Sequence, residues 1–192
     1  MKDIIRQRIN ALIPLLKDAD PEVCSVVARS IERLEAICDI NETLHSLKTG
    51  DTGARIAAIY ALGEIGGEKA IAPLMYCAGR PETDLRAAAV EVLGRLAVPS
   101  TLPTLLERLD DQHGAIQARV ITALSNFSAS PALYGRLRPF LKASNGDLEA
   151  EAALTLARLG DLDSADAILT LLASPHASTR KAAAIALSLM PF

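Results

Sequence analysis

The segment DTGARIAAIYALGEIGG, residues 51–67, decides how this chain is read. Ala54, Ala58 and Leu62 fall at i, i+4 and i+8, the spacing of one stripe along an α-helix. Asp51 opens the segment as an N-cap would, and Gly66 and Gly67 close it as helix terminators do. Steps of about 31 residues lead to ETDLRAAAVEVLGRL from Glu82, HGAIQARVITALSNF from His113, NGDLEAEAALTLARLG from Asn145 and HASTRKAAAIALSLM from His176. One step back leads to DPEVCSVVARSIERL from Asp20. Three columns hold the register: Val23, Ala54, Leu85, Ile116, Leu148, Thr179; Val27, Ala58, Ala89, Val120, Ala152, Ala183; and Ile31, Leu62, Leu93, Leu124, Leu156, Leu187. The step is 31 throughout, except 32 between the fourth and fifth copies. These are the second, or B, helices of a tandem repeat.

The intervening text supplies a first, or A, helix. Ile9, Leu12, Ile13 and Leu16 recur as Ile71, Leu74, Met75 and Ala78, then as Leu102, Leu105, Leu106 and Leu109; the last copy keeps Ile168, Leu169 and Leu172. Turn formers and cap residues punctuate the chain at 18–21, 50–53, 79–81, 110–114, 144–147 and 174–176. Pro21, Pro81 and Pro175 sit where helices start, a place that proline tolerates. No strand-like alternation competes. A two-helix unit cannot bury both faces alone, so neighbours must stack into a continuous core. The expected fold is all-α, an α-α superhelix (solenoid) of six two-helix repeats forming one domain over residues 1–192. Its repeats run approximately over 3–36, 37–66, 67–97, 98–129, 130–160 and 161–192.

Composition fits a thin, repetitive core. Half of the 192 residues are hydrophobic, yet aromatics make up 3% and Trp is absent. The net charge of -3 argues against nucleic acid as a partner, because phosphate binding calls for basic surface. Cys24, Cys38 and Cys77 are odd in number and lack CxxC spacing, which favours buried thiols in a reducing cytosol over a disulfide or zinc framework. Lys2, Asp3, Arg6 and Arg8 interrupt the N-terminal apolar residues, unlike a signal peptide, and no run reaches the roughly 20 apolar residues of a membrane span. A cytoplasmic protein without a membrane association is expected.

The pattern D-x-x-A-R-x-A-A-x-x-A-L-G-x-I-G, carried by Asp51, Ala54, Arg55, Ala57, Ala58, Ala61, Leu62, Gly63, Ile65 and Gly66, resembles the short HEAT-like repeat of phycobilisome lyases. Arg86, Ala88, Ala89, Leu93 and Gly94 follow it in the third copy. The resemblance spans essentially the whole chain and implies a HEAT-like solenoid. It also implies a ladder of Asp and Arg between neighbouring repeats, matched here by Asp51, Arg55, Arg86 and Arg180 and interrupted by Gln117 and Glu149. In such families the B helices line the concave surface, and that surface is where a partner is expected.

Several positions depart from the pattern. The column Val26, Ala57, Ala88 continues as Arg119 and Glu151 before returning to Ala182, which predicts an Arg119–Glu151 ion pair across the seam. That pair either replaces small-residue packing or forms a polar notch for a partner. Arg29, Arg33, Arg55, Arg86, Arg95, Arg158, Arg180 and Lys181 populate the exposed B-helix columns against Glu32, Glu64, Glu91 and Glu149. Asp20, Glu22, Asp51, Glu82, Asp84 and Asp147 at the helix starts favour the helix dipole and offset that positive bias. The alternatives are a solvated, ladder-paired face and a groove for an anionic partner. Tyr60 is the aromatic of those columns, a residue type enriched at interface hot spots, with packing against a neighbouring repeat as its other role. The partner-binding candidates are Arg29, Tyr60, Glu64, Glu91, Arg95, Arg119, Glu151 and Arg158. Ile185, Leu189 and Met190 leave the final helix apolar beyond one stripe, which fits self-packing of the tail at Pro191 and Phe192, a docking site, or a homo-oligomer contact.

Catalytic signatures are missing: there is no GxSxG, HExxH or P-loop. His113 and His176 occupy the N-terminal slot of Asp20, Asp51 and Asn145, so cap or loop roles are expected. Ser46, Gly114 and Ala177 follow the three histidines, unlike the His-Glu pairs of the HEAT-like family that oxidises a modified lysine. HEAT-like DNA-repair glycosylases carry basic, aromatic-bearing concave faces that this composition does not match. No catalytic residue, cofactor or metal is expected. The functional expectation is a non-catalytic protein-interaction scaffold, with a phycobilisome-lyase-type subunit acting on bilin attachment as the alternative. Ala89 lies in the small-residue seam, so Ala89→Phe should overpack it and cost about 1–3 kcal/mol or more; an unchanged thermal unfolding curve would overturn the stacking assignment.

Overall fold

The computed structural model describes residues 2–38 and 40–190, leaving the side chains of 2–4, 36–38 and 41 outside the description. The side chain of Cys38 and the whole of Pro191 and Phe192 are therefore outside the described residues. All regular elements among the described residues are helical. The A helices are α1 (Lys2–Leu12), α3 (Ile40–Thr49), α5 (Glu68–Ala78), α7 (Leu102–Arg108), α9 (Pro131–Leu137) and α11 (Ala165–Thr170). The B helices are α2 (Pro21–Cys38), α4 (Thr52–Ile65), α6 (Thr83–Leu96), α8 (Gly114–Leu124), α10 (Gly146–Leu159) and α12 (Ala177–Leu189). The all-α, two-helix solenoid repeat read from the columns is thus the architecture. The chain forms two compact units, residues 1–74 and 75–192, with the boundary inside α5.

In the first unit α2 packs beside α4, and α1 and α3 pack against the B helices that follow them. Val27, Ala58 and Leu62 are buried as their columns require, together with Ile59 and Leu47. Asp51 caps α4, its side chain accepting from the Ala54 amide at 2.8 Å, and Gly66 ends α4 with φ +64°, where a side chain would be strained. Ala57, expected in the tight seam, is exposed.

In the second unit the B helices stack in order, α6 on α8 on α10 on α12. Leu85, Ala89, Leu93, Ile116, Val120, Leu124, Leu148, Ala152, Leu156, Thr179 and Ala183 are all buried. Two glycines permit the approach. A Cβ on Gly94 would lie 2.3 Å from the Ala123 Cβ, and one on Gly146 would lie 2.7 Å from the His176 ring. Neither helix pair could come together with a larger residue there.

The A helices are less regular than their sequence stripe. Leu105, Leu109 and Ile168 are buried, but Ile13, Leu16, Leu169 and Leu172 are exposed. Ile13 and Leu16 belong to a 3-10 turn over Ile13–Lys17, and Leu172 to another over Leu171–Ala173. With three residues per turn instead of 3.6, a side chain one place along is swung off the helical stripe. Leu171 accordingly takes the inward position that Leu172 was expected to fill. Pro14 lies in the first of these turns and Pro139 in a third, Arg138–Lys142; proline cannot donate the hydrogen bond that an α-helix needs. At the last helix Met190 is buried, whereas Ile185 and Leu189 stay at the surface.

Buried polar groups tie the turns together. Arg86, 4% exposed, donates to the carbonyls of Arg80 and Pro81 at 2.8 and 2.7 Å and holds Asp111 of the next repeat at 2.9 Å. Burial alone would push the Asp111 carboxyl up. The His113 amide and the Arg86 guanidinium outweigh it and hold the group below the usual carboxylate range. Arg180 repeats the motif on the carbonyls of Ser174 and Pro175, at 2.7 and 3.0 Å. At the interrupted rungs Gln117 donates to the Leu109 carbonyl at 2.9 Å, and buried Glu149 accepts from the Thr179 hydroxyl at 3.4 Å. His113 and His176 occupy N-cap positions, but their rings do not cap; the His113 ring turns aside to Arg86 and Asp111. Of the described thiols, Cys77 is buried and Cys24 half-buried.

Arg138 makes a second lock. Its Nε donates to Asp161 at 2.8 Å, and its Nη2 reaches Asp161 and Asp163. Asp161 is 2% exposed and also accepts from the Ser164 hydroxyl. The Arg138 guanidinium lowers the Asp161 carboxyl pKa against the opposing effect of burial. A carboxylate depressed in this way stabilises the fold fully above pH about 4, its ordinary value, and loses that contribution as pH falls through the lower folded value. Asp161→Asn should therefore cost about 1–3 kcal/mol at neutral pH. Its denaturation midpoint should converge on that of the unsubstituted protein in acid; a gap that does not vary with pH would contradict the assignment.

Candidate functional site: a cleft on the B helices

α6, α8 and α10 begin at equivalent positions of the repeat, but they do not end together. α6 runs to Leu96 and α10 to Leu159, whereas α8 stops at Leu124. Its next three residues, Ser125, Asn126 and Phe127, bond to carbonyls three places back and form turns instead of another helical turn. Where the flanking copies read LGRL and LARL, this one reads LSNF. The early end opens a cleft of about 580 Å³ between the C-terminal halves of α6 and α10. Glu91, Gly94, Arg95, Arg119, Thr122, Ala123, Ser125, Asn126 and Arg158 line it.

The walls are built from both neighbours of α8. The Asn126 side chain donates to the Gly94 carbonyl at 3.0 Å, pinning the turn onto α6 across the glycine contact. On the other side the buried Thr155 hydroxyl of α10 donates to the Ile121 carbonyl at 3.1 Å, a group left exposed by the helix ending early. Ser125 donates its hydroxyl to the Thr122 carbonyl at 2.7 Å. The free carbonyls that a helix end presents are thereby consumed.

The expected Arg119–Glu151 pair is corrected. Arg119 pairs with Glu91 of the preceding repeat at 3.2 Å, both side chains half exposed, and Glu151 accepts from the Thr122 hydroxyl at 2.7 Å. Both contacts follow one diagonal: a residue meets the one three places further along the preceding helix. The sequence column treats successive B helices as level, whereas these two side chains reach diagonally, so the members of this column do not pair.

Glu91, Arg95, Arg119 and Arg158 thus share one cleft, and Glu151 joins it through Thr122. Arg29, Tyr60 and Glu64 belong to the first unit. Arg29 bonds to the carbonyl and hydroxyl of Ser25 at 3.3 Å in each case, and Tyr60 and Glu64 are exposed on α4. Of the basic groups counted in the B-helix columns, Arg86 and Arg180 are fastened to their own turns. Ser125 and Asn126 were not among the candidates; their signal was the replacement of the usual Gly-Arg or Ala-Arg before the closing apolar residue.

No group of three or more His, Cys, Asp or Glu among the described residues is placed to hold a metal ion. No helix among them is long and apolar enough to cross a membrane.

The chain is similar in structure to YibA of Escherichia coli, at 19% identity over 97% of this chain and 73% of that one, with a TM-score of 0.65. It is also similar to the complex of CpcE and CpcF of phycocyanin lyase from Nostoc sp. PCC7120, at 17% identity over 78% and 98%, with a TM-score of 0.64. A designed armadillo repeat protein in complex with the peptide (KR)4 matches at 15% identity over 95% and 99%, with a TM-score of 0.58. At these identities the likeness is one of fold. No curated protein matches. The model of HEAT repeats matches residues 9–84 and 76–135, well over half of the chain, and with the stacked two-helix repeats this places the chain in the HEAT repeat family.

Proposed function

We propose that this chain is a non-catalytic scaffold that takes a partner protein on the B-helix surface of residues 75–192. The cleft beside the shortened α8 is the observation that carries the reading. Its 580 Å³ lies within the range of about 300–1,000 Å³ typical of ligand clefts. Its lining combines guanidinium, hydroxyl and amide groups without any acid–base pair set apart in a secluded pocket. Arginine at a concave centre is also a characteristic hot-spot residue of protein interfaces. The designed armadillo neighbour with a bound peptide and the CpcE–CpcF complex support the general use of such solenoids for binding chains.

A second reading, a bilin-lyase-type subunit, is supported by the fold likeness to the CpcE–CpcF complex. Added bilin should then change its absorbance on mixing, and an unchanged spectrum removes that reading.

Affinity capture from the native cell tests the scaffold. Thr122→Trp fills the cleft, whereas Lys142→Glu changes a residue outside its lining. A partner retained by the unsubstituted protein and by Lys142→Glu should fall at least tenfold with Thr122→Trp, while thermal unfolding of the three proteins stays alike. Equal capture by all three overturns the proposal.

A further inference from the structure

Resting on that reading, we infer that the cleft accepts the carboxylates of an extended acidic segment of the partner, with Arg158 as the anchor. Charge is the first argument. Three arginines and one glutamate line the cleft and Glu151 joins it on the Thr122 hydroxyl, a formal +1 (three minus two), on a chain whose total is -3. The second is the balance of donors and acceptors. Glu91 already receives Arg119, the Gly94 carbonyl receives Asn126, and the Thr122 carbonyl receives both the amide and the hydroxyl of Ser125. Arg158, by contrast, is exposed, lines the cleft and makes no hydrogen bond or ion pair with any described residue, so the five N–H donors of its guanidinium are uncommitted. A cleft in which these acceptors are engaged and a guanidinium is uncommitted favours a ligand rich in acceptors and negative charge. A guanidinium meets a carboxylate in a two-bond fork, which fixes direction as well as charge.

The shape gives the segment its length. Arg95 on α6, Asn126 after α8 and Arg158 on α10 occupy one column of the repeat. Neighbouring helix axes lie about 8–10 Å apart, so crossing from α6 to α10 covers about 16–20 Å. That is the span of about five or six extended residues. Nucleic acid is also anionic, but no aromatic side chain lines the cleft to stack a base.

A fluorescein-labelled hexaglutamate peptide, followed by anisotropy, is the direct probe, with hexaglutamine and an oligothymidylate of equal charge beside it. Hexaglutamate should bind most tightly, weaken at least tenfold with Arg158→Glu, and be indifferent to Lys142→Glu. Arg158→Gln provides the same comparison if the reversed charge perturbs folding, which helicity and thermal unfolding report. Equal binding of hexaglutamine, tighter binding of the oligonucleotide, or insensitivity to both Arg158 variants overturns the inference. If hexaglutamate fails while Thr122→Trp still abolishes partner capture, only the ligand chemistry is wrong. If capture is indifferent to Thr122→Trp as well, the scaffold reading falls with it.

Discussion

The contact between neighbouring B helices is what the second unit depends on, because a two-helix repeat exposes one apolar face until another repeat covers it. Gly94 against Ala123 and Gly146 against His176 set how near those helices come. The buried columns of Leu and Ala then close mostly on aliphatic side chains, with Phe127 buried beside them. The polar rungs follow from the same nearness. Arg86 can reach two carbonyls of its own turn and Asp111 of the next repeat at once only when the turns are drawn together. Burial of that ion pair is tolerable because hydrogen bonds engage its remaining donors and acceptors; an isolated pair would lose more in desolvation than it gained in attraction.

The cleft is a local failure of that regularity with a traceable cause. Ending α8 one turn early removes side chains from the middle of a row whose neighbours continue. A helix cut short in a packed array ordinarily leaves carbonyls without donors. Here Thr155 and Ser125 supply donors to Ile121 and Thr122 of the shortened helix, and Asn126 supplies one to Gly94 of α6. Their combined effect is a concavity whose backbone is satisfied and whose charge comes from side chains on the flanking helices. The vacancy left by the missing turn is therefore polar and stable instead of apolar and collapsing.

Much of this was legible in the residues, for a physical reason. A 31-residue period with i, i+4, i+8 apolar columns leaves little choice of architecture, and the B-helix columns of residues 75–192 are buried almost without exception. Legibility ended where the local backbone left α-helical geometry. Leu172 was misplaced because a 3-10 turn carries it off the stripe, and the end of α8 was hidden because Ser125 and Asn126 still fit a helix by sequence. The partner of Arg119 was missed for a different reason. Columns record equivalence between repeats and carry no information about how far a long side chain reaches along the neighbouring helix, which brings Arg119 to Glu91 and Glu151 to Thr122.

Position in the repeat also sorts the arginines by what they are able to do. In the rung column, Arg86 and Arg180 have their guanidinium groups directed at turn carbonyls, and Arg86 is buried as well. They hold the repeat and have little left to offer a ligand. Arg119 lies in a different column, where a partly exposed partner neutralises it. Arg158 stands at the last turn of α10, where a positive side chain favours the helix dipole and yet remains exposed. At the same point of α8 the chain carries Asn126, which is uncharged and turned onto Gly94. The middle position of the column thus neither repels the arginine side chains nor blocks the space between them. A row of identical repeats would have closed that space with a third arginine, so the usable surface arises from the departure of one repeat from its neighbours.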